Sequence, residues 1–271
     1  ERFTGMNGND VIDGRGGLDL ASYDYAGRSV NVNLATGVAN AGAGDVEKRF
    51  VRARSGHEYS NGSVRVSAQY RDQDQSIDAA SGSMSDDEYE ARAVGIRTDW
   101  DAGGQDRFTL QSDYQNLKKN NDIALHEDVA AAVPQFEEDI GSDNANVLFR
   151  WQRPFSSGDS QEIQTYVDWT DRNESTYAYR RTTVDVDYQY NLHQMAEHRL
   201  TTGLNYRYIA DHFEGTFAFD LGEPDLEYDQ GTFFLQDEIS FSRQFATILG
   251  VKLESTAVNE FEYQPTARFL W

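Results

Sequence analysis

Cysteine is absent from the 271 residues. Disulfides, zinc–thiolate centres and thiol nucleophiles are therefore excluded. Proline is scarce, with 4 residues, so long strands can form without a residue that cannot donate to a ladder. No run of about 18 apolar residues occurs, so no transmembrane helix is expected. Basic residues are in deficit, with 24 Lys and Arg against 46 Asp and Glu and a formal net charge of -22. Nucleic-acid binding needs a basic footprint, and this balance argues against it. The surplus carboxylates suit divalent cations or a basic partner, and most read as a solvated acidic surface. The opening residues Glu1-Arg2-Phe3-Thr4 are not a signal peptide, so a processed chain or a fragment is expected.

Catalytic signatures are missing too. The five histidines, His57, His126, His193, His198 and His212, show no H-x-x-x-H or H-E-x-x-H spacing. No nucleophile elbow or phosphate-binding loop appears. Glu162 and Asp168 resemble a glycosidase carboxylate pair, but strand alternation already explains them as one polar face. Clusters such as Asp86-Asp87-Glu88 and Glu137-Glu138-Asp139 read as solvated loop charge. The expectation is a protein that is not an enzyme.

Aromatics, by contrast, are plentiful, with 15 Tyr, 15 Phe and 4 Trp, as strands favour. From Val64 onward apolar and polar residues alternate with a period of two, the mark of a strand with two unlike environments. Val64, Val66, Ala68 and Tyr70 oppose Arg65, Ser67, Gln69 and Arg71. Val184, Val186, Tyr188 and Tyr190 oppose Asp185, Asp187 and Gln189. Comparable runs lie around 94–100, 108–115, 145–152, 162–169, 199–208, 233–241, 249–254 and 266–271, with a first strand over 46–55 ended by turn residues from Ser55. Asp237 falls on an apolar face, which a strand end or bulge would accommodate.

The connections alternate between short and long. Short turns fall near 101–106, 154–158, 191–197 and 242–245, and long gaps near 72–90, 116–144, 171–181 and 210–230. An outer-membrane barrel has such short turns on one side and long loops on the other. Most strands reach the roughly 9–11 residues needed to cross a bilayer core at a tilt. Mean hydropathy of -0.70 fits, because only alternate strand residues would face lipid.

The N-terminal stretch differs. Gly5-Met6-Asn7-Gly8-Asn9-Asp10-Val11-Ile12-Asp13 is followed by Gly14-Arg15-Gly16-Gly17-Leu18-Asp19-Leu20-Ala21-Ser22. This near-repeat resembles the calcium-binding nonapeptide of RTX proteins, G-G-x-G-x-D-x-U-x, with Met6 and Arg15 where a second Gly is wanted. The resemblance implies a β-roll with calcium held by the carboxylates of Asp10 and Asp19 and the carbonyls of Gly8 and Gly17. Ile12 and Ala21 would turn into the roll. Composition shifts near Asp45-Val46-Glu47-Lys48, so two segments are expected, 1–45 and 46–271.

Within 46–271, the runs Ile96-Arg97-Thr98-Asp99-Trp100, His198-Arg199-Leu200-Thr201-Thr202-Gly203-Leu204-Asn205-Tyr206-Arg207, Phe234-Leu235-Gln236-Asp237-Glu238-Ile239 and Tyr263-Gln264-Pro265-Thr266-Ala267-Arg268-Phe269 occur in this order. Their order and spacing resemble TonB-dependent outer-membrane receptors. That resemblance implies uptake of an iron–siderophore complex or a similar scarce nutrient, coupled to TonB, in contact with outer-membrane lipid. The family closes a barrel of about 22 strands around a plug. Neither a plug nor a TonB box is visible here.

The expected fold is therefore all-β: a partial antiparallel outer-membrane-type β-barrel of about 10–11 strands, after a short RTX-like β-roll fragment. Ligand contacts are expected in the long gaps. The alternative is a secreted, calcium-binding RTX-type adhesin or binding module with a soluble β-domain; a non-functional chimera is a third reading.

Overall fold

The structure is a computed structural model of the chain. It describes residues 2–4, 10–11, 20–22, 30–33, 38–41, 47–77, 82–122, 137–174, 177–195, 197–215, 222–257 and 261–271, with backbone alone up to residue 48 and at 121–122, 137–138 and 194–195. All regular structure among them is β. The strands are β1 (Arg2–Thr4), β2 (Asp10–Val11), β3 (Leu20–Ser22), β4 (Val30–Asn33), β5 (Val38–Ala41), β6 (Glu47–Tyr59), β7 (Gly62–Gln73), β8 (Tyr89–Asp101), β9 (Arg107–Asp122), β10 (Glu137–Pro154), β11 (Ser160–Asn173), β12 (Ala178–Met195), β13 (His198–Glu214), β14 (Asp225–Ser240), β15 (Ala246–Thr256) and β16 (Glu262–Leu270).

From β6 to β16 every strand pairs antiparallel with the next, giving an eleven-stranded meander. The sheet order runs from β16 to β6 and on to β4, β5 and β2, so among the described residues the sheet does not close. β4 meets β6 at one parallel pair, Asn33↔Arg52. β1 and β3 form a separate parallel pair. The segment boundary expected near residue 45 lies outside the described residues, and β6 begins at Glu47.

Register carries the alternation across the whole meander. Val66 sits opposite Ile96, Val147 opposite Val167, Val186 opposite Tyr206, and Leu204 opposite Phe233. The alternating apolar runs therefore share one face, and most of the polar positions between them share the other. Side chains on a concave face converge and screen each other, while those on a convex face splay apart. Asp185, Asp211, Thr109 and Ser142 are buried on the polar face, whereas Val66, Val94 and Leu204 stand exposed on the apolar face. The apolar face is thus the convex one. Ile140, at 8% exposure, is the one buried hydrophobic residue among those described, so nothing among the described residues forms a second layer over the sheet.

Aromatic residues mark the short-turn end of the convex face. Trp100 stacks on Phe108 at 5.3 Å, and Phe108 on Trp151 at 6.4 Å. Trp151 donates its indole N–H to Asp106 at 2.7 Å, and Arg153 Nε donates to the same carboxylate at 2.6 Å. Rings with an apolar body and a polar tip suit a lipid–water boundary. Arg153, then Trp151, hold the Asp106 carboxyl below the usual aspartate range.

The structure corrects several sequence-based boundaries. The first strand runs to Tyr59 rather than ending at Ser55, and a two-residue turn follows. β9 and β10 extend into the gap expected over 116–144, and β13 and β14 into that over 210–230. β12 runs to Met195, with a register shift after Leu192, through the connection expected at 191–197. The gap expected over 171–181 is mostly ladder: Asp171 pairs with Arg180 and Arg172 with Tyr179, which leaves only 174–177 as connection. That link and 257–261 are as short as the turns at the opposite end, so the long–short rhythm rests on 74–88, 123–136 and 215–224. Asp237 sits on the apolar face with neither a bulge nor a break, between Leu200 and Leu249. His198 Nδ1, 2.7 Å from its carboxylate, meets the charge instead.

Phe234 lies across β13 on the polar face because residue 203 is glycine. A Cβ there would come within 2.4 Å of the Phe234 ring and 2.7 Å of the Tyr188 carbonyl oxygen. Gly203→Val is expected to destabilise the sheet by about 1–3 kcal/mol through overpacking, read as a lower thermal midpoint. In lipid, Leu204→Arg on the convex face is expected to cost about 2–4 kcal/mol, and the same change at concave-facing Gln236 far less. A depressed carboxyl stabilises above its unfolded pKa and ceases to as pH falls through its folded one. Trp151 emission should therefore change as pH drops below about 4, and Asp106→Asn should abolish that step.

Candidate functional site at the long-loop rim

The strands are longer than a bilayer crossing requires. β10 and β12 have 18 residues each and β13 has 17. Their extra length lies at the long-loop end, beyond Tyr114 and Trp169. There the concave face of β11, β12 and β13 carries a cluster of rings and charges. Register sets Arg172, Tyr179 and Phe213 side by side on three adjacent strands. Tyr177 stacks on Tyr179 at 6.0 Å, and Tyr179 on Phe213 at 5.9 Å.

Each cation beside these rings is matched by an acid. Arg181 grips Asp211 with two bonds, Nε to Oδ1 at 2.6 Å and Nη2 to Oδ2 at 2.8 Å. Arg172 pairs with Glu174, whose N–H bonds the Tyr177 carbonyl at 3.0 Å and closes the link. The two-point guanidinium–carboxylate geometry fixes side-chain orientation as well as charge. The result is a row of aromatic rings edged by ion pairs. Such a surface can stack a planar conjugated ligand and offer a few hydrogen bonds at its margin.

The connection over 74–88 is also ordered where it is described. Asp87 accepts from the Ser76 N–H at 2.7 Å and the Ser76 hydroxyl at 2.6 Å. These bonds hold its carboxyl below the usual range. Gln75 donates to Asp86 at 3.1 Å, and Ile77 bridges to Met84.

Of the expected calcium ligands, Gly8, Gly17 and Asp19 lie outside the described residues. Asp10 is described in backbone only, paired with Ala39 through β2 and β5. No group of three or more His, Asp and Glu side chains placed to hold a metal ion occurs among the described residues. Sequence reasoning placed ligand contacts in whole gaps and did not single out the rings. The available signal was Tyr177 and Tyr179 two apart, a spacing that puts both on one strand face. Phe213, distant in sequence, had no such signal.

No protein-family model matches the chain, and no curated protein matches it. Solved structures do. The siderophore receptor PirA from Pseudomonas aeruginosa matches with a TM-score of 0.60 at 14% identity, over 80% of this chain and 35% of that one. The outer membrane transporter YddB from Escherichia coli matches with a TM-score of 0.59 at 12% identity, over 81% of this chain and 35% of that one. A chain of the FpvAI–pyocin S2 complex matches with a TM-score of 0.54 at 12% identity, over 93% of this chain and 41% of that one. The chain thus spans 35% to 41% of the length of these three proteins. At these identities the likeness is one of fold: the eleven-stranded sheet is built like part of the β-barrel of outer-membrane receptors and transporters.

Proposed function

We propose that this chain forms part of an outer-membrane uptake receptor. Its cargo is an iron–siderophore complex or a similarly scarce nutrient, and its convex face meets lipid. The observation that carries the reading is the shared register that gathers the alternating apolar runs of the strands on one convex face, which nothing among the described residues covers. In water that surface has no partner; in a bilayer it needs none, because the ladder groups between neighbouring strands of the meander are met within the sheet, and the edge left open at β16 is one that the rest of a barrel would pair. The boundary rings Trp100, Phe108 and Trp151 support the same orientation. A soluble β-domain would need a dry core on that face, and among the described residues none of its large apolar side chains is buried. TonB coupling enters from the sequence resemblance of residues 46–271.

In this reading cargo first meets Tyr177, Tyr179 and Phe213 on the outer side, and the role is transport rather than catalysis. The full chain should fold cooperatively only in detergent or lipid; a cooperative β-fold in plain buffer would overturn the proposal. Ferric catecholate and ferric hydroxamate complexes should quench tyrosine emission on binding. Tyr179→Ala should weaken the one that binds by about 1.4 kcal/mol, roughly tenfold in Kd.

A second reading concerns residues 1–45, for which calcium binding is proposed. Its support is the parallel pairing of β1 with β3, Arg2↔Leu20 through Thr4↔Ser22. The partners are eighteen residues apart (20 − 2), two nonapeptide lengths, as successive turns of a β-roll would be. Calorimetric titration with Ca²⁺ should show binding that a double Asp10→Asn, Asp19→Asn variant loses. Absence of any heat in the parent chain would remove this reading.

A further inference from the structure

We propose that the concave face of β6, β7 and β8 is a binding site for a small polyanion carrying carboxylate or phosphate groups. In a chain of net charge -22, this face gathers Arg52, Arg54, Arg65 and Arg97 on three adjacent strands. Arg65 and Arg97 are direct ladder partners, and like charges placed opposite each other destabilise a sheet. Arg54 lies diagonal to Arg65, because Ser67 is its own partner and Gly56 is the partner of Arg65.

On the concave face of β9 to β13 arginines come with their acids: Arg150 with Glu162 at 3.5 Å, Arg181 with Asp211 at 2.6 Å, and Arg207 with Asp185 at 2.8 Å. Arg52, Arg54 and Arg65 are exposed and make no ion pair among the described residues. Asp99 lies within the field of Arg65. Both its oxygens are already taken, by Arg97 at 2.8 and 2.9 Å and by the Thr109 hydroxyl at 2.6 Å. Glu58 shares the face and makes no ion pair among the described residues. Arg65 thus faces a second guanidinium whose acid, Asp99, is already engaged, and Arg52 and Arg54 stand unpaired beside it among the described residues. Neighbouring strands stand about 4.8 Å apart, so two or more acidic groups on one small molecule can each meet a guanidinium. Planar guanidinium forks bind carboxylate and phosphate in the same two-point manner.

The patch lies toward the short turns, at the opposite end of the face from the row of aromatic rings. It does not rest on the uptake reading, since a chain that transports nothing would still bind.

The test is calorimetric titration of the full chain, folded in a non-ionic detergent, with citrate and separately with tripolyphosphate. Saturable binding of either is expected, weakening as sodium chloride rises; which one binds more tightly names the acidic group. Arg54→Gln and Arg65→Gln should each reduce affinity roughly tenfold. Arg65→Gln should also leave the thermal midpoint unchanged or higher without ligand, since it relieves the charge opposite Arg97. Arg268→Gln, the same charge change at an exposed site on β16, should leave affinity unaltered. The proposal is overturned if neither anion binds saturably, or if Arg268→Gln weakens binding as much as Arg65→Gln does.

Discussion

Strand register is the constraint on which the rest of this structure depends. Side chains alternate faces with a period of two, so slipping any strand by one residue would exchange its two faces. Across eleven strands the ladders keep one register through their central stretches. Where registers shift, between Glu47 and Arg49 and between Leu192 and Met195, the irregularity sits near a strand end. The convex apolar band, the row of boundary rings and every concave ion pair exist because one parity is kept from Val51 to Phe269.

That constraint also replaces a core. With no second layer over the sheet among the described residues, cohesion comes from the ladders and from side chains touching across strands. On the concave face the contacts are mostly charged or amide pairs, such as Arg207 with Asp185 and Gln152 with Glu162. Half-exposed pairs of this kind add little stability individually. Their effect is to fix orientations on a face that would otherwise carry crowded free charge. Arg52, Arg54 and Arg65 depart from this rule, as Asp237 departs from the rule of the convex face. Asp237 finds His198 on the neighbouring strand, whereas the three arginines find no acid among the described residues.

Much of the fold was legible in the sequence because alternation is local. Val184 to Tyr190 announces a strand with two faces without reference to anything else. The gaps were misread where polar residues continue the ladder. Asp171 and Arg180 look like loop, yet they lie opposite each other on paired strands and are joined by an ion pair. Composition marks them as solvated and says nothing about pairing. Tyr177 and Tyr179 carry a local sign of one shared face, but their contact with Phe213 depends on how the next strand lies. The nonapeptide reading of residues 5–22 rests on the sequence.

The sequence by itself determined that the chain is all-β, that its strands are two-faced, and roughly how many there are. Each of these follows from residues within a few positions of one another. Tertiary structure decided the register, how far each strand runs past its apolar stretch, which face is convex, and which charges find partners. Those outcomes turn on hydrogen bonds between residues that the chain holds far apart, and no local pattern encodes which distant residue lies opposite.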